Sequence, residues 1–402
     1  MEYQARVHRG VQMKVPENYR NREQSYVKHQ LLRTYLERLF MIIGQYQGVI
    51  RYVDCFSGPW SEQDENLQDT SIGISIEIIR QCWEGLRRMG KRVKFQALFI
   101  EKDKRAFEKL ETFLSAGASS DVIVTAQNGE FYELRDQILD WCGQDDFTVF
   151  FIDPKGWKKV VEIPTLEPFL KRPNSEFLIN FMYDFLLRTH TQHSFQEDMR
   201  EIFGDVPDTA GMTSKQKEAY LISLYRNRLK QSAPSRDGIP RTAHVSILYP
   251  LRDRTLYHLV YLTRHAKGLA VFMEASEKLE IVQRQVREQA KQEKRVFRTG
   301  QCEFDFQFCD DLKSIENLDL AETRSYWLRK LSFHPHRFGI EQLADMIEET
   351  GWFESDFQAA FGELADRGIV ANLDDKAKRR RKKFVHFDAH HNQGEHLIRL
   401  TS

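Results

Sequence analysis

The chain has 402 residues, which is enough for two or three domains with a large buried core. Its 59 Lys and Arg residues balance its 59 Asp and Glu residues, which excludes a globally basic nucleic-acid-binding protein but leaves room for a local basic patch. Hydrophobic residues make up 41% of the chain and charged residues 29%, a composition typical of a globular rather than a disordered protein.

The sequence shows no signal for membrane insertion or secretion. It has no run of about 18 apolar residues, and residues 1–24 lack the apolar core of a signal peptide. The five cysteines are scattered, with no CxxC pair and no metal-ligand spacing: Cys55, Cys82, Cys142, Cys302 and Cys309. We therefore expect a cytoplasmic protein with free thiols, no membrane partner and no metal site.

Apolar strands alternate with amphipathic helices over much of the chain. Helices are predicted over 26–43, 73–88, 101–114 and 130–141 from the spacing of apolar residues. Strands are predicted over 49–54, 93–100, 121–129, 147–152 and from 176, with two more at 245–253 and 256–264 joined by a tight turn. Because the strands are almost continuously apolar, the pattern indicates an α/β fold with a Rossmann-like parallel sheet between helices.

Polar residues follow the predicted strands, where ligands bind in open α/β sheets. They are Asp54, with Phe56 and Gly58 in the loop after it, Glu101, the pair Gln127 and Asn128, and the pair Asp153 and Pro154. Each also has an ordinary structural interpretation, because Asp and Glu cap helices and Asn-Gly and Asp-Pro form turns.

The chemistry of these loops favours a nucleoside ligand without a phosphate cradle. Glu101 is placed to accept both hydroxyls of a ribose, and Gln127 and Asn128 can pair with a purine edge. Neither GxxxxGK[ST] nor GxGxxG occurs in the chain. The combination points to S-adenosyl-L-methionine as the cofactor.

Four blocks in this order resemble the three-Cys-motif partner proteins, a methyltransferase-like family. The blocks are Lys28-His29-x-x-Leu32-x-x-Tyr35-Leu36, Tyr52 to Pro59, Phe151-Ile152-Asp153-Pro154-x-Gly156, and Tyr257 to Gly268. The resemblance implies a class I methyltransferase fold closed by an antiparallel strand at the last block. It also implies that Lys28, Asp54, Phe56, Gly58 and Glu101 belong to the cofactor site, that Asp153 and Pro154 are catalytic, and that a radical-SAM or three-Cys-motif protein could be a partner.

Two departures from the pattern keep a second function open. Trp60 stands where the family often has a second Gly, and the aromatic residue after Asp153-Pro154 is Trp157, one position late. The first interpretation is a methyltransferase acting on a nucleic acid or a partner protein in a bacterium or phage. The alternative is a catalytically inactive adaptor of the same fold that binds nucleic acid or a protein partner, as a component of a phage or defence system.

The C-terminal region has the pattern of a winged helix. Three helices are predicted over 321–332, 340–350 and 354–366, and two strands over 369–373 and 384–387. Seven of eight residues in 376–383 are basic, so Arg379, Arg380, Arg381 and Lys382 are candidate contacts to nucleic-acid phosphates, although a solvated hairpin tip is the alternative. The predicted organisation is an arm at 1–25, a Rossmann-like domain at 26–298, a linker at 299–318 and a winged helix at 319–402.

Overall fold

A computed structural model describes residues 15–58, 67, 69–115, 122–154, 156, 159–189, 192–236, 238–299, 320–375 and 384–401. The chain divides into two compact units. One comprises Tyr19–Val271, and the other combines the described parts of Met1–Asn18 and Phe272–Ser402. The division falls inside the helix Ala266–Thr299. The domain boundary expected at residue 298 stays a prediction.

A seven-stranded sheet forms the core of the described part of the first unit. Its order is β3-β2-β1-β4-β5-β7-β6, with the strands β1 Val49–Asp54, β2 Lys94–Glu101, β3 Val122–Asn128, β4 Phe147–Ile152, β5 Ser175–Phe181, β6 Arg241–Leu248 and β7 Thr255–Thr263. The first five strands pair in parallel. Strand β7 runs antiparallel to both β5 and β6. The predicted mixed α/β fold with a mostly parallel sheet is confirmed, and the antiparallel strand lies in the block Tyr257 to Gly268.

The central strands are buried along their whole length, and most of their residues are apolar. Every residue of β4 and β5 is buried. The helices of this unit are α1 Glu23–Ile43, α2 Ser71–Arg88, α3 Lys104–Ser115, α4 Arg135–Cys142, α5 Ile163–Leu170, α6 Tyr183–Thr189, α7 Gln196–Phe203, α8 Ser214–Ser232 and the first part of α9 Ala266–Thr299. Strands joined through helices in this way place their carboxyl ends at one edge of the sheet.

A buried carboxylate accounts for three residues of the resemblance blocks, Tyr35, Thr263 and Gly268. Glu176 on β5 accepts hydrogen bonds from Tyr35 Oη at 2.6 Å and from Thr263 Oγ1 at 2.9 Å. A side chain at Gly268 would bring its Cβ to 2.7 Å from Glu176 Oε1. Glycine at this position therefore leaves room for the hydrogen-bonded carboxylate.

Among its described residues, the second unit contains the part of α9 from Phe272 onward, three further helices, a single turn of helix at Ala389–Asn392 and a small sheet. The three further helices are α10 Leu320–Lys330, α11 Ile340–Thr350 and α12 Glu354–Asp366, close to the predicted ranges. The strands β8 His336–Phe338, β9 Val370–Asn372 and β10 Glu395–Arg399 form an antiparallel sheet of order β8-β10-β9.

The predicted pairing of two hairpin strands in this unit is wrong. Residues 384–387 contain no strand, and β9 pairs instead with β10. Glu395 explains the difference, because its buried carboxylate accepts hydrogen bonds from Asn372 Nδ2 at 2.7 Å and from His386 N at 2.8 Å. The segment around His386 is thus held to the sheet through a side chain rather than through a strand ladder.

Candidate active site

The site lies at the point where the order of the parallel strands reverses. Strand β1 has β2 on one side and β4 on the other, so the chain leaves β1 and β4 in opposite directions across the sheet. Asp54 ends β1, and Asp153 follows β4 directly. Glu101 and Asn128 end the next two strands and are register partners. The topology therefore brings the predicted residues to the carboxyl edge of one sheet.

Asp54 organises the first loop through its carboxylate. Oδ1 accepts the backbone N–H of Phe56 at 3.1 Å, and Oδ2 accepts the hydroxyl of Ser71, the first residue of α2, at 2.9 Å. The loop is fixed further by Ser57, whose N–H donates to the carbonyl of Ile100 at 2.8 Å. Asp54 is fully buried, and burial raises its pKa to about 6 despite these hydrogen bonds. Asp54 therefore ties the first loop to the start of α2.

Glu101 and Asn128 bond to the backbone at the ends of their strands. Glu101 is 3% exposed, and its Oε1 accepts the N–H of Asp103 at 2.6 Å, just before α3 begins. The Asn128 amide donates to the carbonyl of Glu101 at 2.8 Å. Gln127 donates through Nε2 to Oε1 of Gln137. The structure thus gives each of these side chains a local hydrogen bond, and their roles toward a ribose and a purine stay predictions.

A second polar group, distinct from the contacts around Asp54, consists of Asp153, Lys28 and Asn180, with Asp153 at its centre. Oδ2 of Asp153 pairs with Nζ of Lys28 on α1, and its Oδ1 accepts a hydrogen bond from Asn180 Nδ2 at 2.6 Å. The side chains of Lys28 and Asp153 are 14% and 15% exposed, so the ion pair is mostly shielded from solvent. Lys28 thus pairs with the predicted catalytic carboxylate, and its expected role in the cofactor site stays a prediction.

Asn180 retains one unsatisfied atom. It is 3% exposed, and its Oδ1 is buried with no hydrogen-bond donor among the described residues. Buried carbonyl oxygens are nearly always hydrogen-bonded in native proteins, so such an atom calls for an explanation.

Hydrogen bonds hold the start of α1, and Tyr19 just before it, next to these groups. Tyr19 Oη lies 3.0 Å from His29 Nδ1 and donates to the carbonyl of Asp69, before α2, at 3.1 Å. Burial lowers the pKa of His29 to about 3, so the imidazole is neutral. Tyr257 on β7 donates to the carbonyl of Gln24 at 3.2 Å. These bonds hold α1 against the carboxyl edge of the sheet, with Lys28 directed to Asp153.

Several predicted residues lie outside the described part of the chain. They include Pro59 and Trp60 in the first loop and Lys155 and Trp157 after Asp153, so the expectations about Trp60 and Trp157 stay open. The basic candidates Arg379, Arg380, Arg381 and Lys382 also fall there, as do Cys302 and Cys309. The described ranges contain no group of three or more His, Cys, Asp or Glu side chains that could hold a metal ion. Within the same ranges, no helix has the length and apolar character needed to cross a bilayer.

Sequence reasoning missed Ser71 and Asn180. Asn180 had a usable signal, since it is the one Asn in the apolar run Phe177-Leu-Ile-Asn-Phe181. Ser71 had none, because Ser follows Thr70 at an ordinary helix start, where both residue types are common.

Comparison with known proteins identifies no family. No protein-family model matches the chain, and no curated protein matches it either, so the resemblance to the three-Cys-motif partner proteins stays a prediction. Among solved structures, the chain is similar to MNMC2 from Aquifex aeolicus, with 11% identity, 62% of this chain and 71% of that chain covered, and a TM-score of 0.28. It is also similar to a loganic acid methyltransferase with SAH, with 9% identity, coverage of 71% and 94%, and a TM-score of 0.28. Scores this low do not establish a shared fold, and the strand order is the firmer observation.

Proposed function

We propose that the chain is an S-adenosylmethionine-dependent methyltransferase of class I architecture. The observation that supports this most is the placement of Asp54 and Asp153 at the ends of the neighbouring strands β1 and β4, where the strand order reverses. The antiparallel strand β7 beside β5 adds support, since it occupies the block that resembles the family.

The residues at this edge fit the proposed cofactor in chemical type. Glu101 ends β2, where a carboxylate can accept ribose hydroxyls. The loop after Asp54, with Phe56 and Gly58, leads toward the N-terminus of α2, where backbone N–H groups favour a carboxylate such as that of the methionine moiety. At the end of β5, the oxygen Oδ1 of Asn180 is an acceptor without a donor among the described residues. When bound, S-adenosylmethionine supplies an electrophilic methyl group on a sulfonium.

The side chains would act mainly by orienting the two reactants. Lys28 and Asn180 hold Asp153 from two sides, which fixes the plane of its carboxylate. Pro154 is buried directly after it and has no N–H, so its backbone nitrogen needs no hydrogen-bond acceptor there. Aligning a nucleophile with a bound methyl group supplies much of the rate enhancement in such transfers, and little acid–base chemistry is required.

One observation favours the adaptor as a second candidate. Both oxygens of Asp153 are already engaged within the protein, by Lys28 and by Asn180. A carboxylate held this way could be a structural clamp between α1, β4 and β5. In that case the chain would retain the fold and bind a partner without transferring methyl groups.

The C-terminal unit is proposed to bind nucleic acid. Three helices and a small antiparallel sheet, whose first strand β8 lies between α10 and α11, are compatible with a winged helix. The basic segment 376–383 would contact phosphates of a nucleic acid. The methyl acceptor would then be a nucleic acid or a bound protein, encountered in the cytoplasm of a bacterium or phage-infected cell. A radical-SAM or three-Cys-motif protein stays a proposed partner.

A transfer assay separates the two candidates. The chain is incubated with S-adenosylmethionine labelled in its methyl group and with cell-extract nucleic acid or protein. The methyltransferase proposal predicts labelled product from wild type and loss of labelling in Asp153→Ala. Asp145→Ala, a change in the exposed loop before the same strand, is the matched control and should label normally. S-adenosylhomocysteine binding without any labelling, with the native partner present, would favour the adaptor.

A further inference from the structure

The second polar group contains a hydrogen-bond acceptor that no described residue of the protein uses. Asn180 lies one residue before the end of β5, pairs with Leu259 of β7 in register, and is 3% exposed. Its amide donates to Asp153 Oδ1 at 2.6 Å, while its own Oδ1 has no donor among the described residues.

The neighbouring carboxylate fixes which way the amide faces. Only the NH₂ side of Asn180 can bond to Asp153, because two oxygens would repel each other. Lys28 Nζ bonds to the other oxygen of Asp153 and prevents the carboxylate from turning away. The carbonyl oxygen of Asn180 is therefore held on the side opposite Asp153.

An apolar residue would be the simpler choice at this position if the role were structural. All other residues from Phe177 to Phe181 are apolar and buried. An unpaired buried carbonyl destabilises the fold, and solvent does not reach this one. A ligand that displaces the atoms now covering the oxygen would supply the missing donor.

We propose that Asn180 Oδ1 accepts an N–H hydrogen bond from the methyl-accepting group, so that the acceptor is an amine nitrogen. The inference rests on the proposed function and makes Asn180 a substrate-contacting residue. The nitrogen lone pair forms the new N–C bond as the C–S bond breaks, and the electron pair stays on sulfur as S-adenosylhomocysteine is formed. The proton that the nitrogen must lose passes to solvent.

The surroundings favour nitrogen over oxygen as the nucleophile. A hydroxyl acceptor needs a base to take its proton, and Asp153 is already paired with the ammonium of Lys28. His29 is also a weak base, since burial lowers its pKa to about 3 and Nδ1 is engaged with Tyr19. An amine needs only to have its lone pair directed at the methyl group, which one N–H bond to a fixed oxygen provides.

Sinefungin tests the contact without knowledge of the acceptor. This analogue of S-adenosylmethionine carries an amino group where the cofactor carries its methyl-sulfonium group, so it presents N–H donors at the transfer point. S-adenosylhomocysteine has the same nucleoside and amino-acid parts but no N–H donor at that point. We expect wild type to bind sinefungin about tenfold more tightly than S-adenosylhomocysteine, the size of one hydrogen bond to a charged donor.

Substitution of Asn180 should remove the preference for sinefungin, while the part of the ligand shared with S-adenosylhomocysteine should bind as before. In Asn180→Leu and Asn180→Ala, the affinity for S-adenosylhomocysteine should stay within about twofold of wild type, which also shows that the variants fold. In both variants, the affinities for sinefungin and for S-adenosylhomocysteine should become equal. Calorimetric titrations of both ligands give the ratio. A wild-type preference that persists in both variants, or no preference in wild type, would overturn the inference while leaving the methyltransferase proposal intact. Wild type that binds neither ligand would overturn the proposed function, and the inference with it.

Discussion

Replacing Asp54 with Asn is expected to stabilise the protein at neutral pH, against the usual trend for buried polar substitutions. Asp54 is fully buried, with Oδ1 bonded to Phe56 N and Oδ2 to Ser71 Oγ. An amide preserves both contacts, since its oxygen accepts the N–H of Phe56 and its NH₂ can donate to the Ser71 hydroxyl oxygen. What the substitution removes is the buried negative charge.

The size of the effect follows from the pKa of Asp54. Burial raises it from 3.8 to about 6, which corresponds to about 3 kcal/mol against the ionised form in the folded state. Because the folded pKa is the higher one, the folded state binds the proton more tightly. This group therefore destabilises the fold increasingly as pH rises from about 4 to 6, and the penalty is constant above that range. At pH 4 and below, Asp54 is mostly protonated in the folded state and the penalty largely disappears.

Urea unfolding followed by circular dichroism from pH 4 to 8 measures the difference. Asp54→Asn should exceed wild type by about 3 kcal/mol at pH 8 and approach it near pH 4. Asp136→Asn, whose side chain is 86% exposed, is the matched control and should show no comparable trend. A difference that does not change with pH, or a variant less stable than wild type at pH 8, would refute the argument that Asp54 is a buried charge.

Two other predictions concern the ion pair and the basic segment. Lys28→Met should lower the free energy of unfolding by about 2–3 kcal/mol by leaving Asp153 unpaired, and Lys28→Met/Asp153→Asn should recover most of the loss. The exposed pair Arg88–Glu84 is the control, since Arg88→Met should cost less than about 0.5 kcal/mol; equal losses at both sites in urea unfolding would contradict the buried-pair interpretation. Changing Arg379, Arg380 and Arg381 to Gln should reduce nucleic-acid affinity and flatten its salt dependence by about 0.9 log units per lost duplex phosphate contact. Fluorescence anisotropy across a salt series measures the slope, and an unchanged slope would indicate a solvated loop.

The sheet was predictable because its strands carry unusually strong signals. Runs such as Phe147–Ile152 and Ser175–Phe181 are buried on both faces and consist mostly of apolar residues, so each strand stands out. Their order along the chain also predicted which loops meet at one edge. Of the α-helices described between residues 158 and 240, three were not predicted: Ile163–Leu170, Gln196–Phe203 and Ser214–Ser232. The longest, Ser214–Ser232, has the start signal Thr213-x-x-Gln216, which forms a capping box in the structure.

Contacts between distant residues could not be predicted from one sequence. Lys28 and Asp153 are 125 residues apart, and nothing in either local sequence specifies the other as its partner. The same holds for β9 and β10, whose pairing depends on the buried Glu395 and replaces the expected hairpin with residues 384–387. Sequence periodicity identifies elements and their faces, whereas the hydrogen-bond partners of polar side chains depend on how the elements pack.

Titration of S-adenosylhomocysteine into wild type and Glu101→Ala, followed by calorimetry, tests the central claim most directly. The account predicts saturable binding of one ligand per chain to wild type, and binding weaker by about 2–3 kcal/mol when the carboxylate at the end of β2 is removed. Glu133→Ala, a change in the turn after β3, is the control and should bind as wild type does. No saturable binding to wild type, or equal binding by Glu101→Ala, would contradict the assignment of this sheet edge to S-adenosylmethionine.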